Sequence, residues 1–245
     1  MTDIVIYGFD VGVGNNRAWT RLDSCPEWLE QFTLEPGHKF SLQQKSYKVK
    51  KSLEELSKLL LQDIGKRKVA IGFEAPMWIP TYTFDKELSS VFTERFAEEG
   101  ENLRWYSRGG AVASQIAMPS GIELLTILKK KFQSNISVTT DISNWNKDTL
   151  YLYEAFIAGK HKFRPSNGNK NHQHYWDSFL SAAVLYDYLF LGPVPSNIRN
   201  SKAQKCQPTA IMNSLSKRCY WNEIADAVHL DVVSSTDMCD VYTFG

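Results

Sequence analysis

The chain has 245 residues and a formal net charge of +1, with 43% hydrophobic and 22% charged residues. These are the figures of an ordinary globular protein, long enough to bury a core in one or two domains. A near-neutral balance argues against an architectural nucleic-acid binder held by a global positive field, so any affinity for nucleic acid has to come from local patches.

The longest apolar stretches, such as Phe179 to Phe190, fall short of the ~20 residues of a membrane span, so no membrane partner is expected. Thr2-Asp3 leads straight into a strand, without the basic and apolar regions of a secretion signal. Cys25, Cys206, Cys219 and Cys239 show no C-x-x-C spacing, which argues against zinc and predicts reduced thiols in a cytoplasmic protein.

Taken in order, Ile4 to Asp10 is an apolar strand that closes on an acid, followed by the turn-forming cluster Gly12-Val13-Gly14-Asn15-Asn16. Arg17 to Leu22 returns as the second arm of a hairpin, and Lys39 to Lys48 alternates as a third strand. Leu53, Leu56, Leu59, Leu60 and Ile64 share one face of a helix over 52–64, with Ser52 as N-cap and Gly65 as C-cap. A strand over 68–74 again ends on an acid, in Phe73-Glu74-Ala75-Pro76. Phe84 to Glu99 is expected to be helical. Gly121 to Phe132 predicts a helix burying Leu124, Leu125, Ile127 and Leu128, with three lysines at its C-terminus.

Thr149 to Phe156 reads as a strand and His172 to Leu191 as a strongly apolar helix. Beyond Gly192-Pro193 the pattern is mixed, with helices over 210–216 and 222–228 and a strand over 230–233. The expected division is a catalytic domain over 1–195 and a C-terminal extension over 196–245 packed on it. The sequence is silent on oligomeric state.

A strand that closes on a carboxylate where Gly or Pro breaks the pattern places that carboxylate at the sheet's carboxyl edge, where open α/β sheets bind ligands. Asp10 shares its strand face with Gly8, and Glu74 shares one with Gly72. A glycine two residues before each acid leaves room for another element to pack closely. The helix over 172–191 suits that role, with His174, Asp177, Ser181 and Val184 along one stripe. Asp177 stands in a helix too apolar to face water, and a carboxylate there costs several kcal/mol unless paired or metal-bound.

Strand-end aspartates also serve turns, and acids are common in first helical turns, so the argument rests on the three occurring together. Three converging carboxylates form an oxygen cage suited to Mg²⁺ or Mn²⁺. Two such ions ~3.5–4 Å apart can activate water and stabilise the leaving oxygen in phosphodiester cleavage. Asp10 would bridge them, with Glu74 and Asp177 flanking. His174 could orient or deprotonate the water, or ligate. Glu154, on the face of Leu150 and Leu152, either completes the cage or pairs with a cation.

A hairpin and third strand, a helix and a fourth strand, with acids on strands one and four and on a late helix, resembles the ribonuclease H-like superfamily. His174-Tyr175-Trp176-Asp177 is similar to the H-x-x-D helix of its Holliday-junction resolvase branch. Residues 4 to about 190 resemble a widespread, uncharacterised family of predicted RNase H-like nucleases. The ordered motifs are Gly8-Phe9-Asp10 with Gly12 to Asn16 and Trp19, then Glu74-Ala75-Pro76 with Ile79-Pro80, Tyr153-Glu154-Ala155, and Asp177 with Ala182-Ala183. Glu74 stands where Asp is common, and Ser178 where a second acid or Ala is frequent. The resemblance implies an α/β fold with an RNase H-like mixed sheet flanked by helices, and a metal-dependent nuclease.

Toward a nucleic-acid substrate, Arg104, Trp105 and Arg108 interleave cations with an aromatic beside Gly109-Gly110, a pattern that can hold phosphates and stack bases. The same aromatics could instead fold onto the core. Lys162 and Arg164 belong to a basic run after the Glu154 strand. Two other classes remain open. Asp10 to Asn15 resembles the first phosphate loop of actin-like or sugar-kinase ATP phosphotransferases, but Asp141-Ile142-Ser143 does not supply the second. A non-catalytic binding module would need basic and aromatic groups, whereas buried acids repel phosphate.

Overall fold

The computed structural model describes residues 3–12, 17–23, 49–75, 77–80, 110–131, 137–155, 170–190, 206–208, 231–235 and 239–243. The first strand, β1 (Ile4–Asp10), pairs antiparallel with β2 (Ala18–Asp23), with Asp10 opposite Ala18 and Gly8 opposite Thr20. This is the expected hairpin. A helix, α1 (Val49–Asp63), then leads to β3 (Lys68–Phe73), which lies parallel to β1 with Gly8 beside Gly72 and Phe9 beside Phe73.

A short strand, β4 (Trp78–Pro80), and a long helix, α2 (Gly110–Lys131), precede β5 (Ser137–Thr139) and β6 (Thr149–Glu154). The last strand runs parallel to β3 and to β5. Next come α3 (Lys170–Phe190), β7 (Cys206–Pro208), β8 (Asp231–Ser235) and β9 (Cys239–Thr243). The sheet runs β2-β1-β3-β6-β9-β8 with β5 also on β6, and β4 pairs separately with β7. This is a mixed α/β architecture, and two strands of the expected C-terminal extension join the main sheet.

Strand alternation divides the core in two. Val5, Tyr7, Phe9, Val69, Ile71, Phe73, Leu150 and Leu152 face α1 and α2, whose Leu53, Leu56, Leu60, Leu124, Leu125 and Leu128 complete one apolar layer. Ile6, Ala70, Tyr151, Tyr153 and Ala155 face the other way and pack with Phe179, Ala182, Ala183, Leu185 and Tyr186 of α3. A sheet apolar on both faces needs helices on both, which is why its central strands read as unbroken hydrophobic runs.

Several boundaries differ from expectation. The first helix starts at Val49, so Ser52 lies inside it and is not its cap. Gly65 closes it as expected, with φ +84° and its N–H donated to the Lys147 carbonyl, a conformation in which only glycine is unstrained. The second helix begins well before Gly121 and carries Pro119 inside it; that proline has no N–H to donate to the preceding turn. Ile127 is only partly buried there. The strands over 39–48 and the helices over 84–99, 210–216 and 222–228 fall outside the described residues. No described helix is long and apolar enough to cross a membrane.

Candidate metal centre

The parallel register of β1 and β3 fixes two acids at one height. Gly8 and Gly72 are side by side, and the Glu74 N–H donates to the Phe9 carbonyl at 2.9 Å. Asp10 and Glu74 therefore leave adjacent strands at the same edge and on the same face. The third acid comes from α3, which crosses that face. Oxygens of Asp10, Glu74 and Asp177 all lie within 4.8 Å of one another, and the residues are 4%, 7% and 1% exposed.

The helix reaches this depth because Gly8 lacks a side chain. A Cβ at Gly8 would overlap the Ser178 carbonyl oxygen and lie 2.8 Å from the Ala182 nitrogen. The backbone of α3 thus rests directly on β1, with Asp177 one residue before the contact. The glycine on β3 serves differently. The space above Gly72 holds the ring of Tyr153, whose Cε2 and hydroxyl would be 2.5 and 2.6 Å from an added Cβ. The expectation that both glycines receive the helix holds for Gly8 and fails for Gly72, where a neighbouring strand's tyrosine leans in.

The carboxylate of Asp10 is oriented from two sides. One oxygen accepts from the Gly12 N–H at 3.3 Å, an Asx turn that bends the chain after β1. The other meets His174 Nδ1 at 2.6 Å. A carboxylate only accepts, so Nδ1 is the donor and Nε2 is the ring nitrogen that can take up a proton. The Gly12 carbonyl is itself held by Arg17 Nε at 2.9 Å and Ser120 Oγ at 3.1 Å. Burial lowers the pKa of the Arg17 guanidinium, and the Glu123 carboxylate, 3.8 Å away, works against that shift.

Ser178, the departure beside Asp177, shares a hydrogen bond with Thr20 at 2.9 Å and donates to the Tyr175 carbonyl at 2.8 Å. Thr20 is the cross-strand partner of Gly8, so the serine ties the helix to β2 at its closest approach. Ser181 donates its single hydroxyl proton to the Asp177 carbonyl at 2.8 Å, with the Ala155 carbonyl as a second, longer acceptor at 3.3 Å.

Glu154 stands outside the group of three. By alternation it shares the face of Leu150 and Leu152, which belong to the α1–α2 layer. It is fully buried, and one of its oxygens accepts from the Met77 N–H at 2.8 Å. On the α3 face, the β6 position level with Glu74 is Ala155, whose N–H donates to the Phe73 carbonyl. The expected substrate contacts Arg104, Trp105, Arg108, Lys162 and Arg164 lie outside the described residues.

Arg17, Ser120 and Tyr153 carry no local signal of a role here. Each acts through a backbone carbonyl or a glycine that only the tertiary packing brings to it.

The donor set is all hard oxygen, without thiolate, which fits Mg²⁺ or Mn²⁺ better than softer ions. Three ionised carboxylates this close repel by roughly 3–4 kcal/mol per pair at an effective dielectric of ~20. A bound cation would relieve that repulsion.

No protein-family model, no curated protein and no solved structure matches the chain.

Proposed function

We propose that the chain is a divalent-metal-dependent nuclease of RNase H-like fold, hydrolysing phosphodiester bonds of nucleic acid. The observation that carries this reading is the meeting of Asp10, Glu74 and Asp177, three buried carboxylates contributed by two parallel strands and a helix far apart in the chain. A hairpin first, a parallel strand beside it after a helix, and a late helix bearing the third acid agree with the superfamily that the sequence resembles.

Asp10, Glu74 and Asp177 would hold Mg²⁺ or Mn²⁺. Ions held there would supply an activated water and neutralise charge on the scissile phosphate and its leaving oxygen. The chain's own groups do the rest. His174 holds the Asp10 carboxylate through Nδ1 and can accept a proton at Nε2, as a general base adjoining the centre. The apolar layer of Phe179, Ala182 and Leu185 excludes water from beneath the acids. Arg104, Trp105, Arg108, Lys162 and Arg164 are proposed to bind the nucleic acid, and a cytoplasmic setting belongs to the same reading.

The test is cleavage of single- and double-stranded DNA, RNA and a branched junction, with Mg²⁺ or Mn²⁺ and with chelator. Metal-dependent cutting that Asp10→Asn abolishes is expected. Failure to cut any of them, or an Asp10→Asn chain as active as the parent, would overturn the proposal.

A further inference from the structure

Two supports of different kind carry α3 over the sheet. At β1 the helix backbone touches strand backbone across Gly8. At β3 the space above Gly72 is taken by the ring of Tyr153 instead. Tyr153 is fully buried and stacked on Tyr151, with ring centroids 5.7 Å apart and planes at 20°. It lies beside Gly72 in the β3–β6 register. The end of its ring covers Gly72, and its hydroxyl donates to the Ser181 carbonyl.

Both ends of this bridge lead to the acids. Gly72 is two residues before Glu74, on the same strand face. Ser181 is one helical turn beyond Asp177 and donates to its carbonyl. The tyrosine therefore spans the route from one carboxylate's strand to the other's helix. We infer that Tyr153 is a positioning residue: it sets the height of α3 above β3, and with it the spacing of Asp177 from Glu74 in the metal centre. This rests on the reading of those acids as metal ligands.

The consequence is a selectivity, and not simply a stability. Mg²⁺ demands near-ideal octahedral geometry at short distance, whereas Ca²⁺ accepts longer and irregular arrangements. A residue that only fills the core would alter affinity for both ions alike when changed. One that sets carboxylate spacing would alter their ratio.

The experiment is calorimetric titration of the full chain with Mg²⁺, Mn²⁺ and Ca²⁺, comparing wild type, Tyr153→Phe and Tyr7→Phe. Tyr7→Phe is the matched control. It also removes the hydrogen bonds of a buried hydroxyl, donated to Asp63 at 2.6 Å and accepted from Arg21 at 3.1 Å, but on the opposite face of the sheet. Tyr153→Phe is expected to weaken Mg²⁺ and Mn²⁺ about tenfold, as loss of a supporting partner does, and Ca²⁺ much less. Tyr7→Phe should leave all three unchanged. Tyr153→Leu, which removes the ring spacer too, should fall further in the same order.

Unchanged ion ratios in both Tyr153 variants, or an equal change in Tyr7→Phe, would overturn the role of Tyr153 alone. A wild-type chain that binds none of the ions would overturn the metal centre itself.

Discussion

Gly8 and Ser178 are in backbone contact: no Cβ can stand on Gly8 without overlapping the Ser178 carbonyl oxygen. That relationship sets how deep α3 sits on β1 and so brings Asp177 down to Asp10. Gly8→Ala must push the helix backbone away, because the obstacle is main chain and not a side chain that can rotate. Overpacking of this kind costs about 2–3 kcal/mol. Urea denaturation should show that loss, and metal-ion affinity should fall with it. A variant within about 0.5 kcal/mol of wild type, the range of an ordinary surface change, would mean the contact is not tight.

The sequence showed this contact only in part. A glycine two positions before each acid was legible from alternation, as was the late helix as its partner, but the residues that meet Gly8 are Ser178 and Ala182, beside the expected stripe of His174, Asp177, Ser181 and Val184. What fills the gap above Gly72 was not legible, because alternation marks an absence of side chain without saying which neighbour enters. Tyr153 comes from the adjacent strand, and only the register of β3 on β6 reveals that. Glu154 teaches the same lesson. Its face followed from Leu150 and Leu152, but which sheet face those leucines occupy depends on pairing with β3. The early start of α2 went unread since Pro119, Ser120 and Gly121 together look like a break, and packing of the helix overrides them.

The acid cluster should make the metal-free chain less stable than it could be. Glu74→Gln and Asp177→Asn each remove a charge from the group while keeping its shape. Lost hydrogen bonds offset part of the relieved repulsion, leaving an expected gain of about 1–2 kcal/mol in chelator, or about 2–6 °C in Tm. The same variants should lose the rise in Tm that Mg²⁺ gives the wild type. Thermal scans with and without the ion measure both. A fall in the chelator Tm of both variants would show that these carboxylates stabilise the fold as they stand.

The Gly12 carbonyl takes two donors, Arg17 Nε and Ser120 Oγ. Either alone still satisfies it. Arg17→Ala should therefore cost about 1–3 kcal/mol, including the lost packing of a buried side chain, and Ser120→Ala about 1 kcal/mol. With both donors gone the carbonyl is left to whatever water can reach it, so the double variant should lose more than the sum. Strict additivity in a double-mutant cycle would show that the two do not share this acceptor in solution.

Tyr7 predicts a loss of stability in alkali. Its hydroxyl donates to Asp63 at 2.6 Å, and Arg21 binds the same carboxylate at 3.0 and 3.1 Å. Folding raises the pKa of Tyr7 above the ordinary 10.0, first because burial disfavours the phenolate and then because the Asp63 hydrogen bond and charge act the same way. Burial also works against the charge of Arg21, but its hydrogen bonds to Asp63 and Tyr7 outweigh this and raise its pKa. Arg21 therefore stays charged throughout.

The folded chain thus holds the Tyr7 proton more tightly than the unfolded chain does. The resulting stabilisation is complete below about pH 10 and drains away as pH climbs above it, where the unfolded chain begins to release that proton. Tyr7→Phe has no proton to release. At pH 8 it should be less stable than wild type by about 1–2 kcal/mol, the net worth of the two hydrogen bonds to Asp63 and Arg21. Between pH 9 and roughly pH 11, past the unperturbed tyrosine value, the two denaturation curves should converge, because other titrating groups affect both chains alike. Parallel curves over that range would mean that Tyr7 is not held by Asp63 in the folded protein.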